Sequence, residues 1–218
     1  MQERSSHQSV IDRYEEARRY FMGEGTLNKA LARLSNDLET HGIDYAVIGA
    51  AALLAHGYPR LTEDIDLLMT PAGLQKFHDE LVGLGYAPSF PGARKRLRST
   101  TDGVSIEVMT TGEYPGDGKP KPVSMPESLE ASVEIDGIKF VTLEKLIELK
   151  LASGISAPHR LKDLADVQEL IKIRKLDADF AAKLDPYVRP KYFELEVAVR
   201  QSESFRVIQF RSYNEHTE

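Results

Sequence analysis

Asp64 and Asp66 flank Ile65 at the head of the apolar run Leu67, Leu68, Met69, and strand alternation sends both carboxylates to one face. Two like charges on a half-buried face repel. The pair is costly unless a cation or a proton is shared between them, so it points to a divalent metal held by oxygen ligands, Mg2+ or Mn2+. Taken alone, the pair also fits a solvated strand end. A third carboxylate joins it. Within residues 104–109, Val104, Ile106 and Val108 share one face and leave Ser105 and Glu107 on the other. Upstream, the apolar run 45–48 leads into Gly49 and a helix that starts at once, which leaves the backbone N–H groups of Gly49, Ala50 and Ala51 unpaired and open to an anion. Glycine there permits a tight turn and close approach of a phosphate, although many α/β proteins have such a turn and bind nothing at it. Three carboxylates on two strands beside a phosphate-binding turn form a two-metal phosphoryl-transfer constellation: one ion holds a triphosphate and the other lowers the pKa of the attacking hydroxyl.

The elements that must position these groups are short. Apolar runs predict strands over 45–48, 65–69 and 104–109, with helices over 50–56 and 72–84. Residues 94–100 predict an edge strand whose Arg94, Lys95, Arg96 and Arg98 either protect the edge or follow a phosphate backbone. The Gly- and Pro-rich stretch 111–128 predicts a long loop, with Lys119 and Lys121 placed to close over a substrate. Asp136-Gly137, between strands at 132–135 and 139–141, is a hairpin signal. Ahead of the strands, Val10, Tyr14, Ala17 and Phe21, and then Leu27, Leu31, Leu34 and Leu38, recur at helical spacing as two stripes expected to pack on the core. After Thr142 the pattern is helical, over 143–153, 160–174, 177–184 and from 190. The expected fold class is α/β (α+β), a mixed sheet with flanking helices. Its expected organisation is N-terminal helices over 1–42, an α/β core over 43–142 and a helical region over 143–218 packed on that core.

The ordered set Gly49, Ala50, Arg60, Thr62, Asp64, Ile65, Asp66, Leu67 resembles the signature of the nucleotidyltransferase-fold superfamily, in which a Gly-Ser or Gly-Gly turn precedes an Asp-x-Asp strand. Its Arg-x-Thr-x-Asp-Ile-Asp-Leu form is similar to the minimal bacterial nucleotidyltransferases, including the toxin subunits of abortive-infection toxin–antitoxin systems. Lys150, followed by Arg160, Leu161, Lys162, Asp163 and Asp166, resembles the helical motifs of that branch. The resemblance covers roughly residues 43–172. It implies transfer of a nucleoside monophosphate from an NTP, with Mg2+ or Mn2+, to an acceptor hydroxyl on an RNA or tRNA end, a protein or a small molecule such as an aminoglycoside. It also implies roles residue by residue. Asp64, Asp66 and Glu107 would bind metal, Gly49 and Ala50 would cradle phosphate, Arg60 and Thr62 would contact the nucleotide, and Lys150 would reach the triphosphate. An antitoxin protein is the implied partner. Ala50 stands where many members carry Ser, and Glu107 where many carry Asp. The other class of function is a non-catalytic module that keeps the fold to bind a nucleotide or a protein.

Without the family, Lys150 falls on the apolar face of its helix with Leu143, Leu146, Ile147 and Leu151, so it must snorkel or meet an anion. On the next helix Leu161, Leu164, Ala165 and Ile171 are expected inward, with the Arg160–Asp163 and Lys162–Asp166 pairs on a solvated face. Composition bounds the rest. A chain of 218 residues with 41% hydrophobic and 28% charged residues folds as one or two globular domains. Its 28 Lys+Arg against 34 Asp+Glu, net -6, argue against broad non-specific nucleic-acid binding while leaving room for a local basic patch. The absence of Cys excludes disulfides, thiol nucleophiles and Cys-based zinc sites. No apolar run approaches the ~20 residues of a membrane helix and the N-terminus lacks a signal-peptide core, so a cytoplasmic protein without a membrane partner is expected. His41, His56, His78 and His159 lack metal-ligand spacing, and no Gly-x-Ser-x-Gly elbow occurs.

Overall fold

The computed structural model describes residues 2–127 and 130–215, with side chains over 10–127 and 130–202. The chain divides into two compact units: Met1–Ala55, Pro59–Glu113 and Met125–Thr142 form the first, and His56–Tyr58, Tyr114–Ser124 and Leu143–Glu218 the second. The first unit carries a seven-stranded sheet of β1 (Ala46–Ile48), β2 (Asp64–Met69), β3 (Tyr86–Pro88), β4 (Arg96–Ser99), β5 (Ser105–Thr110), β6 (Ser132–Ile135) and β7 (Ile138–Val141), in the order β3-β4-β5-β2-β1-β7-β6. Two pairings, β2–β5 and β1–β7, are parallel and the others antiparallel, giving the expected mixed sheet.

Its helices are α1 (Gln2–Phe21), α2 (Thr26–Thr40), α3 (Gly49–Ala55) and α4 (Pro71–Glu80). Leu27, Leu31, Leu34 and Leu38 of α2 are buried as expected, and α2 packs on β2 and β7. The α1 stripe differs. Val10, Tyr14 and Phe21 are exposed, Tyr14 by 76%, and it is Tyr20 that is buried. Helix α4 starts at Pro71, one residue before the expected 72, with the Thr70 hydroxyl accepting the Gly73 N–H at 2.9 Å. It ends at Glu80 rather than 84, because the chain turns through Gly83-Leu84-Gly85 and the Gly83 N–H donates to the Tyr86 carbonyl at 2.8 Å. Asp136 and Gly137 join β6 to β7 with φ of 51° and 76°, the two positive values that a tight hairpin turn requires.

The basic strand β4 is not an edge. β3 covers it, a three-residue strand ending in Pro88, whose missing N–H is tolerated at a sheet edge. A segment that short has no readable period.

In the second unit α5 (Leu143–Ser156), α6 (Leu161–Arg174) and α7 (Arg189–Glu215) are joined through 3-10 turns at Pro158–Arg160 and Ala178–Lys183. Within the long loop Lys121 donates to the Pro115 carbonyl at 2.6 Å and pairs with Asp117 at 2.5 Å. On α6 the inward stripe is Asp163, Asp166, Val167, Leu170 and Ile171, whereas Leu161 is 68% exposed and Ala165 is exposed too. This reverses the expected orientation of the two aspartates. Among the described residues no helix is long and apolar enough to cross a membrane.

Candidate functional site

Strand register brings the acidic groups together. In the parallel β2–β5 pair Asp66 lies opposite Glu107 and Asp64 opposite Ser105. Ile65, Leu67, Ile106 and Val108 alternate with them and are buried, which commits the carboxylates to the other face. Each of Asp64, Asp66 and Glu107 offers a carboxylate oxygen within 4.8 Å of the others, and all three side chains are half-buried. That all-oxygen, triply negative donor set at bridging distance suits a hard divalent cation. The convergence expected from the sequence is therefore found.

The surrounding residues hold this arrangement. Gly49, at the β1–α3 junction, has φ of +65°, and a Cβ there would lie 1.8 Å from Asp66 Oδ2 and 2.7 Å from its Cγ. The glycine thus leaves the space that the Asp66 carboxylate fills. Ala50 is buried, and α3 is only seven residues long, so what the geometry gives this turn is closeness to Asp66 rather than a long helix dipole. The Thr62 hydroxyl donates to Asp64 Oδ1, which fixes the carboxylate's rotamer. Arg60 is half-buried and lies near Tyr20, whose hydroxyl burial pushes up in pKa while the Arg60 charge opposes the rise.

One neighbour was legible in the sequence only as part of a run. Arg96 on β4 lies directly opposite Glu107, with its Nη2 3.5 Å from Glu107 Oε1. Arg98 lies opposite Ser105 on the same face. The run of four basic residues was visible, but that Arg96 and Arg98 share the face of Glu107 needs the β4–β5 register.

Lys150 sits in the second unit with its ammonium on protein carboxylates. Its Nζ is 2.7 Å from Asp166 Oδ2 and 3.1 Å from Asp163 Oδ1, and all three side chains are buried. Asp163 also accepts from the Ser153 hydroxyl at 2.8 Å and from Arg160 Nε at 2.7 Å. Burial alone would raise the Asp163 carboxyl; Lys150, Ser153 and Arg160 outweigh it and hold the group below its ordinary value. Of the two outcomes open to a lysine on an apolar face, the anion is the one found.

No family model matches this chain, and no curated protein matches it. Among solved structures it is similar to JHP933 from Helicobacter pylori, at 17% identity over 87% of this chain and 96% of that one, with a TM-score of 0.43. An antigenic nucleotidyltransferase-like protein from Paracoccidioides brasiliensis aligns at 20% identity over 66% of this chain and 74% of its own, with a TM-score of 0.46. ANT(2")-Ia, solved with adenylyl-2"-tobramycin, aligns at 14% identity over 76% and 92%, with a TM-score of 0.45. In this chain a mixed sheet flanked by helices presents three carboxylates, Asp64, Asp66 and Glu107, at metal-bridging distance on one face.

Proposed function

We propose that the protein is a nucleotidyltransferase that moves a nucleoside monophosphate from an NTP to an acceptor hydroxyl. The observation that carries this reading is the convergence of Asp64, Asp66 and Glu107 within 4.8 Å, with Gly49 against Asp66. Asp64, Asp66 and Glu107 would hold Mg2+ or Mn2+, which when bound neutralises triphosphate charge and lowers the pKa of an attacking hydroxyl. Thr62 orients Asp64 through its hydroxyl, and Gly49 keeps the space beside Asp66 clear. In the overall reaction the acceptor oxygen bonds to the α-phosphorus as the bond to pyrophosphate breaks, and the hydroxyl proton passes to solvent. The backbone at Gly49 and Ala50, with Arg60, is assigned to the nucleotide on the sequence resemblance, as are the toxin setting and an antitoxin partner. A nucleotide role for Lys150 would require its ammonium to leave Asp163 and Asp166.

The test is incubation with each labelled NTP, Mg2+ and a cell extract, to find which molecule becomes labelled. Asp64→Asn should abolish the labelling and weaken Mn2+ binding by tenfold or more, equivalent to ~1.4 kcal/mol. Without metal the same variant should melt at or above the wild-type temperature, because it relieves carboxylate repulsion. Undiminished labelling by Asp64→Asn would refute the assignment. The alternative, a non-catalytic module, draws on Ala50, which offers phosphate no hydroxyl; its signature is tight Mn2+ and NTP binding with no acceptor labelled.

A further inference from the structure

The basic run at 94–98 divides into two pairs. Arg94 donates to Gln75 Oε1 at 2.6 Å, while Lys95 donates to Thr110 Oγ1 at 3.0 Å and pairs with Glu113, so these two serve the first unit's own contacts. Arg96 and Arg98 point to the carboxylate face. Arg96 makes one long, exposed pair with Glu107, a contact of little energetic weight. Arg98 is exposed, and among the described residues its side chain makes no hydrogen bond or ion pair. Register orders the row across the sheet as Arg96, Glu107, Asp66 and Ile48, the last directly before Gly49. A parallel row runs Arg98, Ser105, Asp64. With strands about 4.8 Å apart, the carboxylates lie between the Gly49 turn on one side and two guanidinium groups on the other.

We propose that Arg96 and Arg98 form a phosphate subsite for the acceptor, which therefore carries a phosphate or phosphodiester beside its reacting hydroxyl. This rests on the nucleotidyltransferase reading of the carboxylates. In that reading the triphosphate occupies the Asp66–Gly49 side, and the second substrate enters past Glu107, along β4. Guanidinium groups bind phosphate oxygens bidentately, and two of them one strand period apart match successive phosphates of an extended strand better than a single charge. A polycationic acceptor would meet like charge at the same place. The net charge of -6 does not oppose this, because the subsite is local.

The experiment measures two affinities for wild type, Arg96→Ala/Arg98→Ala and Arg96→Lys/Arg98→Lys: a short fluorescent single-stranded RNA with a free 3'-hydroxyl, and each NTP with Mn2+. In the alanine pair RNA affinity should fall at least tenfold at low salt. The slope of log affinity against log salt should shrink by about 1.4, roughly 0.7 per arginine. NTP affinity should stay within about twofold, and the lysine pair should keep the salt slope while losing part of the RNA affinity. RNA binding unchanged in the alanine pair would overturn the proposal. So would loss of NTP affinity instead, which would give the arginines to the donor, or preferential labelling of a polycationic aminoglycoside. A wild-type protein that binds RNA through these arginines but neither Mn2+ nor NTP would support the phosphate subsite and overturn the nucleotidyltransferase reading.

Discussion

Lys150→Met should destabilise the protein by about 3–5 kcal/mol, although methionine suits the apolar helix face on which the side chain begins. The substitution removes the ammonium that lies 2.7 Å from Asp166 and 3.1 Å from Asp163 and leaves two buried carboxylates beside each other without it. For a chain of this length that is a fall in melting temperature of about 6–20 °C. Thermal unfolding reads the effect directly, and adding Asp166→Asn to Lys150→Met should recover part of the loss, since the two buried carboxylates then no longer repel while Asp163 keeps Arg160. A variant with wild-type stability would mean that the ammonium is not committed to the aspartates, and would return it to the triphosphate. The acid limb gives a second check. Asp163 is held below its ordinary 3.8, so its contribution is complete above about that pH and is lost as pH falls through the folded-state value. Wild-type stability should accordingly decline with proton uptake below about pH 4, with a shallower decline in Asp163→Asn.

Gly49→Ala should remove divalent-cation binding while the chain still folds. The residue has φ of +65°, where an L side chain costs roughly 1–2 kcal/mol. Its new Cβ would lie 1.8 Å from Asp66 Oδ2, so the carboxylate must swing away or the turn must move. Either response takes a ligand out of the cluster. Gly103→Ala is the matched control: its φ is +75°, but nothing lies within 4 Å of an added Cβ. Both variants carry the cost of a positive φ, Gly49→Ala the clash with Asp66 in addition, and only Gly49→Ala should lose tenfold or more in Mn2+ affinity, measured by calorimetry. Equal Mn2+ affinity in the two would show that the space at Gly49 is irrelevant to the site.

Sequence alone determined the parts of this protein governed by local chemistry. Alternation in 104–109 was enough to put Glu107 on the opposite face from Ile106, and the spacing of Asp64 and Asp66 put both on one side of a strand. The Asp136-Gly137 turn and the leucine stripe of α2 are equally local, each set by a few neighbouring residues and found where expected. Tertiary structure decided whatever depends on which strand or helix lies alongside. Asp66 faces Glu107 only through the β2–β5 register, and Arg96 reaches Glu107 only through the β4–β5 register. Periodicity placed Leu161 and Ala165 inward and the aspartates of α6 outward, by ranking residues on hydrophobicity. The fold rotates that helix the other way, because the buried Lys150 of α5 needs Asp163 and Asp166, and an unpaired charge in the interior costs more than an exposed leucine. A single helix cannot reveal that preference, since the partner that reverses it belongs to another element.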